Sequence, residues 1–454
     1  MKMLPTRQNV QKVLSHFEAK EGLIYLNGQV LHERDDTDVE LPFRQESTFF
    51  YLTGVSEPDF HVIVDIATQR IELYAPALDP DAVVWMGLPD SIETMKSKYD
   101  VDEVLYVTDM AARLSAASVV YTPPIAKKDG LTAQWADEKL NKALYAAICE
   151  ARAVKADWEV DLIRMANKIS SDAHVKVMQM SASNEADMHA VFLYESARHG
   201  AFFQSYQPIF GAGKNAATLH YNRNNAPLNN PNDVVLVDAG AEFNCYASDI
   251  TRTFPVGAKF TPEAAAIYSI VLDMQNACFA KCKAGTPWEV VHETALQVAA
   301  DGLLKLGILK GDKQELLDNG VVAAFFPHGV GHMLGLDVHD VGGYPEGVAK
   351  IDRPGYRYLR MRRTLAAGNV VTVEPGIYFC DFIIDPVLKA VETSKCIDVD
   401  MLNKYKSVGG VRIEDNILIT EDGYTNLTTA PKEIDQIEAL KNDAESAAKK
   451  RKAE

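Results

Sequence analysis

Apolar residues recur along this chain at two spacings, and the balance between them changes near residue 155. Before that point short apolar runs bounded by turn residues dominate. "LIYLNG", "HVIVDI" and "RIELYAP" have the spacing of strands, and residues 8–18 and 109–116 that of helices. This mixture predicts a compact α/β domain over residues 1–155. From 155 onward "KADWEVDLIRMANKISSDAHVKVMQM" sets Trp158, Leu162, Ile163 and Ile169 at helical spacing and predicts a long amphipathic helix. "FTPEAAAIYSIVLDMQNACFAK" predicts another, capped by Thr261, with Pro262 at its first position and Ile267, Ile270, Val271 and Met274 as the buried stripe. "GTPWEVVHETALQVAADGLLKLG" repeats the device with Thr286 and Pro287. "DVVLVDAG", "SDITRTFPV", "NVVTVEPG" and "VRIEDNILIT" are short, β-branched and closed by Gly or Pro, so they predict strands. A second α/β domain is expected over 156–435, followed by a charged tail, 436–454.

Composition narrows the function. At 454 residues the chain is too long for one ordinary core. A formal net charge of −17 repels nucleic acid and anionic membrane surfaces, so neither is expected as a partner. No apolar run approaches ~20 residues, and the N-terminus has no apolar signal core. Six cysteines are few for this length, so free, buried thiols in a reduced cytoplasmic protein are expected. Cys278 and Cys282 fall four apart on a helix, and core packing is the expected reading.

Candidate chemistry lies in the second domain. Asp238 closes the apolar run "VVLVDAG", where an acid is costly unless charge or hydrogen bonds compensate it. Asp249 opens "DITRTFPV". A hairpin turning near Phe243 and Asn244 would set the two aspartates directly opposite, with Cβ atoms ~4.5–5.5 Å apart. Carboxylates that close repel unless a cation lies between them. Glu374 ends "NVVTVE" before Pro375 and Gly376. Period-2 geometry puts Glu414 and Arg412 on one face of "GGVRIEDNILIT" and Val411 and Ile413 on the other.

"PHGVGHMLGLDVHDVGG" adds His328, His332 and His339. Four carboxylates and one imidazole form a mostly hard donor set, suited to Mn²⁺ or a similar divalent ion rather than to structural zinc. Four carboxylates sum to about −4 and two divalent ions to about +4, so a two-metal, water-activating site is inferred. Two glycines make "HGVGH" a poor helix, and it lacks the Glu of HExxH, which argues against a zincin. No G-x-S-x-G elbow, P-loop or strand-following G-x-G-x-x-G occurs.

"DAGAEFNCYASDITRTFPV", "HGVGHMLGLDVHDVGGYPEG", "TVEPGIYF" and "GGVRIEDNILIT" together resemble the proline-specific metallopeptidases of the pita-bread fold, prolidase and aminopeptidase P. "FRQESTFFYLTG" and "VVWMG" extend the resemblance, to prolidase above all, into the N-terminal domain. The resemblance implies a mixed α/β N-terminal domain before a pita-bread catalytic domain, and a homodimer. It implies two divalent ions per subunit, Mn²⁺ first, with Co²⁺ or Zn²⁺ as alternatives, held by Asp238, Asp249, His332, Glu374 and Glu414. Asp249 and Glu414 would bridge the ions, Asp238 would complete one, and His332 with Glu374 the other. It assigns His220, in "TLHYNRNNAP", and His339 to the substrate, and Arg412 to the site. Arg360 matches a prolidase arginine that holds the carboxylate of the substrate proline, and His328 would be a neighbour that binds no metal. After Tyr221 the chain departs from the family's "LHYGHAGAP". The expected activity is hydrolysis of the Xaa-Pro bond, with dipeptides preferred because of Arg360 and the N-terminal match. Xaa-Pro aminopeptidase activity on longer peptides is the alternative; methionine aminopeptidase and a non-catalytic binding module are more remote. In the chemistry, Glu374 is the candidate proton acceptor, with His220 and His339 as hydrogen-bond donors.

Overall fold

The computed structural model describes residues 3–442 except Asp129. The chain divides into two compact units, Met1–Arg152 and Ala153–Glu454.

The first unit is built on one five-stranded sheet, in the order Glu103–Tyr106, Ile71–Ala75, His61–Asp65, Leu23–Asn27, Val120–Tyr121. The three middle strands run antiparallel to one another, and each edge strand is parallel to its neighbour. Leu23, Tyr25, Ile63 and Tyr74 share one buried face with Met110 and Leu114 of the helix Met110–Ser115. That face removes apolar area from water at about 25 cal/mol per Å². The acidic stretch 32–40 lies almost wholly exposed.

In the second unit the expected long helix is Asp157–Gln179, followed by Glu185–Arg198. The helix Pro262–Phe279 begins as predicted, with the Thr261 side chain accepting from the Ala264 amide and Ile267, Ile270, Val271 and Met274 buried. The helix Trp288–Lys305 departs from expectation. Pro287 is its N-cap, no side chain caps it, and Pro287 instead bridges to Thr364. Pairing holds that residue extended, so the helix starts one position late.

Two three-stranded antiparallel sheets lie beneath these helices. One has the order Thr251–Pro255, Val234–Asp238, Ile209–Ala212; the other Val370–Val373, Asp415–Ile419, Tyr424–Asn426. "VRIEDNILIT" is not one strand. It splits into Gly410–Arg412, paired with Gly376–Tyr378, and Asp415–Ile419, and Glu414 falls in the gap. Cys278 and Cys282 are free thiols within the core of this unit. Residues 434–442, around the start of the expected tail, are helical, and Ile437 is buried in the same core. The rest of that tail, 443–454, lies outside the described residues. Among the described residues no helix is long and apolar enough to cross a membrane.

Candidate active site

The first two acids come from one hairpin. Phe243 and Tyr246 exchange both backbone hydrogen bonds, at 2.9 and 3.0 Å, around Asn244 and Cys245. Both turn residues have positive φ, 48° and 64°, as a two-residue type I′ turn requires. The turn lies one residue later than the sequence suggested, which moves the pairing by two. Asp238 therefore stands opposite Thr251, and Asp249 is its diagonal neighbour on the same face, not its direct partner. A cysteine in the left-handed region gives no advance signal; glycine would have done so. Next to Asp238, a Cβ on Gly240 would stand 1.9 Å from the Ser248 carbonyl oxygen, so this crossing admits only glycine.

The other donors meet on the second sheet. The Thr372 amide donates to the His332 carbonyl at 2.9 Å and the Glu374 amide to Val330 at 2.8 Å. Residues 330–333 thus lie alongside Val370–Val373, and His332 is brought next to Glu374. The backbones approach so closely that a Cβ on Gly331 would lie 2.1 Å from Thr372 O. The glycine that spoils a helix in "HGVGH" is what permits this contact. Glu414 joins the sheets, its amide donating to Thr251 O at 3.1 Å.

The side chains converge. His332 Nε2 lies 3.3 Å from Asp249 Oδ2 and 3.6 Å from Glu374 Oε1. Its Nδ1 is 3.0 Å from the Met333 carbonyl, which can only accept, so that nitrogen carries the proton and Nε2 turns a lone pair to the acids. Donor atoms of Asp249, His332 and Glu414 lie within 4.8 Å of one another. Asp249 Oδ1 and Glu414 Oε1 are buried and have no hydrogen-bond partner. Asp238 is better satisfied. It accepts from Arg412 Nη2 at 2.6 Å and from Tyr206 Oη at 2.5 Å. Arg412 also donates to Tyr378 Oη at 2.9 Å and to Thr251 Oγ1 at 3.1 Å, and Thr251 donates to Glu414 Oε2 at 2.8 Å. His328 Nδ1 donates to the Gly329 carbonyl, and Nε2 accepts from Tyr378, both at 2.8 Å. Both of its ring nitrogens are thereby engaged.

Burial, then the neighbouring carboxylates, pushes the carboxyls of Asp249, Glu374 and Glu414 well above the usual range. Burial lowers His332 to about 4, leaving a neutral imidazole. Two partnerless buried carboxylate oxygens beside a neutral imidazole nitrogen would be costly in an apolar interior. The donor set therefore fits divalent cations.

A cavity of about 580 Å³ opens over this cluster. The residues singled out in the sequence line it: Asp238, Asp249, His332, Glu374, Glu414, His220, His339, Arg360 and Arg412, with His328 beside them. The His339 ring stands edge-on to His332 with centroids 4.5 Å apart. His220, His339 and Arg360 are exposed toward the cavity, and Arg360 makes no hydrogen bond or ion pair among the described residues. Sequence reasoning missed Tyr206, Tyr378 and Thr251. Tyr206 carries no spacing signal, and Tyr378 stands in "TVEPGIYF" without a partner to reveal it. Thr251 was legible, because it follows Asp249 by two and shares its face.

Residues 161–421 match metallopeptidase family M24, and residues 6–121 the aminopeptidase P N-terminal domain. The chain is 48% identical to a probable Xaa-Pro aminopeptidase of Pyrenophora tritici-repentis, over 96% of each chain. It is 46% identical to another of that name from Botryotinia fuckeliana, over 97% of each. Of solved structures, Pseudomonas aeruginosa aminopeptidase PepP superposes with a TM-score of 0.82 at 30% identity, covering 98% of this chain and 100% of that one. E. coli aminopeptidase P with the inhibitor Pro-Leu gives 0.81 at 31%, covering 97% and 98%. An N-terminal mixed α/β domain thus precedes a pita-bread domain with the donor set of a hydrolytic metal centre, and the chain belongs to metallopeptidase family M24 as a metal-dependent exopeptidase.

Proposed function

We propose that this protein is an Xaa-Pro aminopeptidase that removes the first residue from peptides with proline second, acting on chains longer than a dipeptide. This departs from the dipeptide preference drawn from Arg360. Relatives named for the aminopeptidase activity match almost end to end, and Arg360 sits exposed on the cavity wall, where a longer chain can pass it. The observation that carries the metal chemistry is the pair of partnerless inward oxygens on Asp249 and Glu414. With Asp238, His332 and Glu374 they would hold the two ions. Once bound, such ions polarise the scissile carbonyl and lower the pKa of the attacking water; Mn²⁺ suits this oxygen-rich set best.

The protein's own groups do the rest. Glu374 accepts the proton of the water and passes it on. The departing proline nitrogen has no hydrogen of its own and must gain that proton. His220 and His339 donate hydrogen bonds to the substrate across the cavity. Arg412 holds Asp238 in place and, through Tyr378, engages Nε2 of His328, whose Nδ1 lies 3.8 Å from Glu374 Oε2.

The test is metal-stripped protein reloaded with Mn²⁺ and assayed on Ala-Pro and on Ala-Pro-Gly. A kcat/KM at least ten-fold higher on the tripeptide is expected. Equal or better turnover of the dipeptide would restore the dipeptidase reading. Binding of fewer than about one ion per chain would overturn the two-metal centre.

A further inference from the structure

Glu185 is the first residue of the helix Glu185–Arg198 and is completely buried. No lysine or arginine pairs with it among the described residues. Its carboxylate instead accepts four hydrogen bonds, two on each oxygen. Oε1 takes the Ala212 amide at 2.8 Å and Asn215 Nδ2 at 3.0 Å. Oε2 takes Tyr221 Oη at 2.8 Å and the Ala226 amide at 2.8 Å. All four donors belong to one stretch of chain, and they bracket His220. The helix does not need this carboxylate for its own start, because Asn184 already caps it by accepting from the Asp187 amide.

The same stretch is fixed a second time. Asn224, buried and at a φ of 48°, accepts from the Phe210 amide at 2.9 Å and donates to Pro208 O at 2.8 Å. The Glu185 amide donates to Ala226 O, and the Leu228 amide to Ser183 O, both at 2.9 Å. Between these fixed points His220 and Asn222 are left facing the cavity. A buried carboxylate with no counter-ion persists only where several donors satisfy it, and here every donor serves the His220 segment.

We propose that Glu185 is the positioning residue that sets His220 over the cavity. It never touches substrate and acts through the backbone on either side of that histidine. The inference rests on the reading of His220 as a substrate-facing donor. Glu185→Gln keeps the size but turns an NH₂ toward two of the four donors, so one side of the bracket opens.

The experiment compares wild type, Glu185→Gln, His220→Ala and the double variant, all loaded with Mn²⁺. Glu185→Gln is expected to lower kcat/KM about ten-fold at unchanged metal content. It should also speed amide hydrogen exchange over residues 209–226 by about an order of magnitude. On the His220→Ala background it should cost no more than about two-fold, because the group it positions is gone. A full ten-fold loss on that background, or unchanged exchange over 209–226, overturns the proposal. If His220→Ala alone keeps wild-type kcat/KM, the reading of His220 fails, while Glu185 as a clamp still stands or falls on the exchange rates. Should Glu185→Gln not fold, Tyr221→Phe removes one donor and leaves the carboxylate intact. It should move both readouts the same way, about three-fold, and no movement in either counts against the clamp.

Discussion

Replacing Asp249 with Asn should stabilise the metal-free protein and weaken its response to metal. Asp249 is buried, with Oδ1 partnerless and Oδ2 3.3 Å from His332 Nε2. Asn keeps the shape and removes the charge. A buried polar group left unsatisfied costs about 1–3 kcal/mol, and more when charged. Relief of that order, at about 2 °C per kcal/mol for a unit of this size, raises the Tm of the stripped protein by about 2–6 °C. Mn²⁺ at 100 times its Kd would stabilise the wild type by about 2.7 kcal/mol, and the variant, lacking one of the candidate ligands, by much less. The order of melting should therefore reverse on adding metal. The pH dependence has a definite sign. Asp249, Glu374 and Glu414 have raised carboxyl pKa values in the fold. Their contribution to stability is full below the usual carboxylate range and is lost as pH rises toward the raised values, by at most about 1.4 kcal/mol per pH unit for each group. The metal-free gap between variant and wild type should widen from pH 6 to pH 8. Scanning calorimetry with EDTA and with Mn²⁺ at both pH values decides it. A stripped variant that melts below wild type at pH 8, or gains as much from Mn²⁺, refutes the reasoning.

Three further outcomes follow from the same geometry. His332→Ala should lose about one metal equivalent by mass spectrometry while His328→Ala keeps both, because both His328 nitrogens are already engaged; the reverse pattern would exchange their roles. Thr251→Val, which removes the hydroxyl between Arg412 and Glu414, should weaken Mn²⁺ binding about ten-fold by calorimetric titration, with Thr251→Ser restoring it. Arg252→Met should lower stability by about 3–5 kcal/mol in urea unfolding, because it breaks a buried pair with Asp415 at 2.7 Å. Burial pushes the Asp415 carboxyl up, but Arg252 and Lys432 outweigh it and hold it below the usual range. Its stabilisation is present above that range and lost in acid, so the penalty should shrink as pH falls.

Part of the site could be read from the chain because Asp238 and Glu374 close short β-branched runs and Asp249 opens one, positions that sequence marks well. The five candidate ligands share one cavity. Register was less legible. Asn244 announced a turn, but the left-handed cysteine after it did not, and the error of one residue turned a direct pair of aspartates into a diagonal one. The strand break at Glu414 was hidden as well, since "VRIEDNILIT" alternates without interruption across it. The supporting residues were the hardest to see. Tyr206, Tyr378 and Glu185 act on partners 27 or more residues away, and no local pattern encodes such contacts.

The bridge from Thr251 to Glu414 also sets a timetable for synthesis. From Asp238 to Glu414 is about 175 residues, which a ribosome adding about 5–20 residues per second takes roughly 10–35 s to make. During that interval the hairpin bearing Asp238 and Asp249 waits without Arg412 or Glu414. The nascent chain would thus present Asp238 without the Arg412 that later pairs with it, and metal loading would be an event of the finished chain.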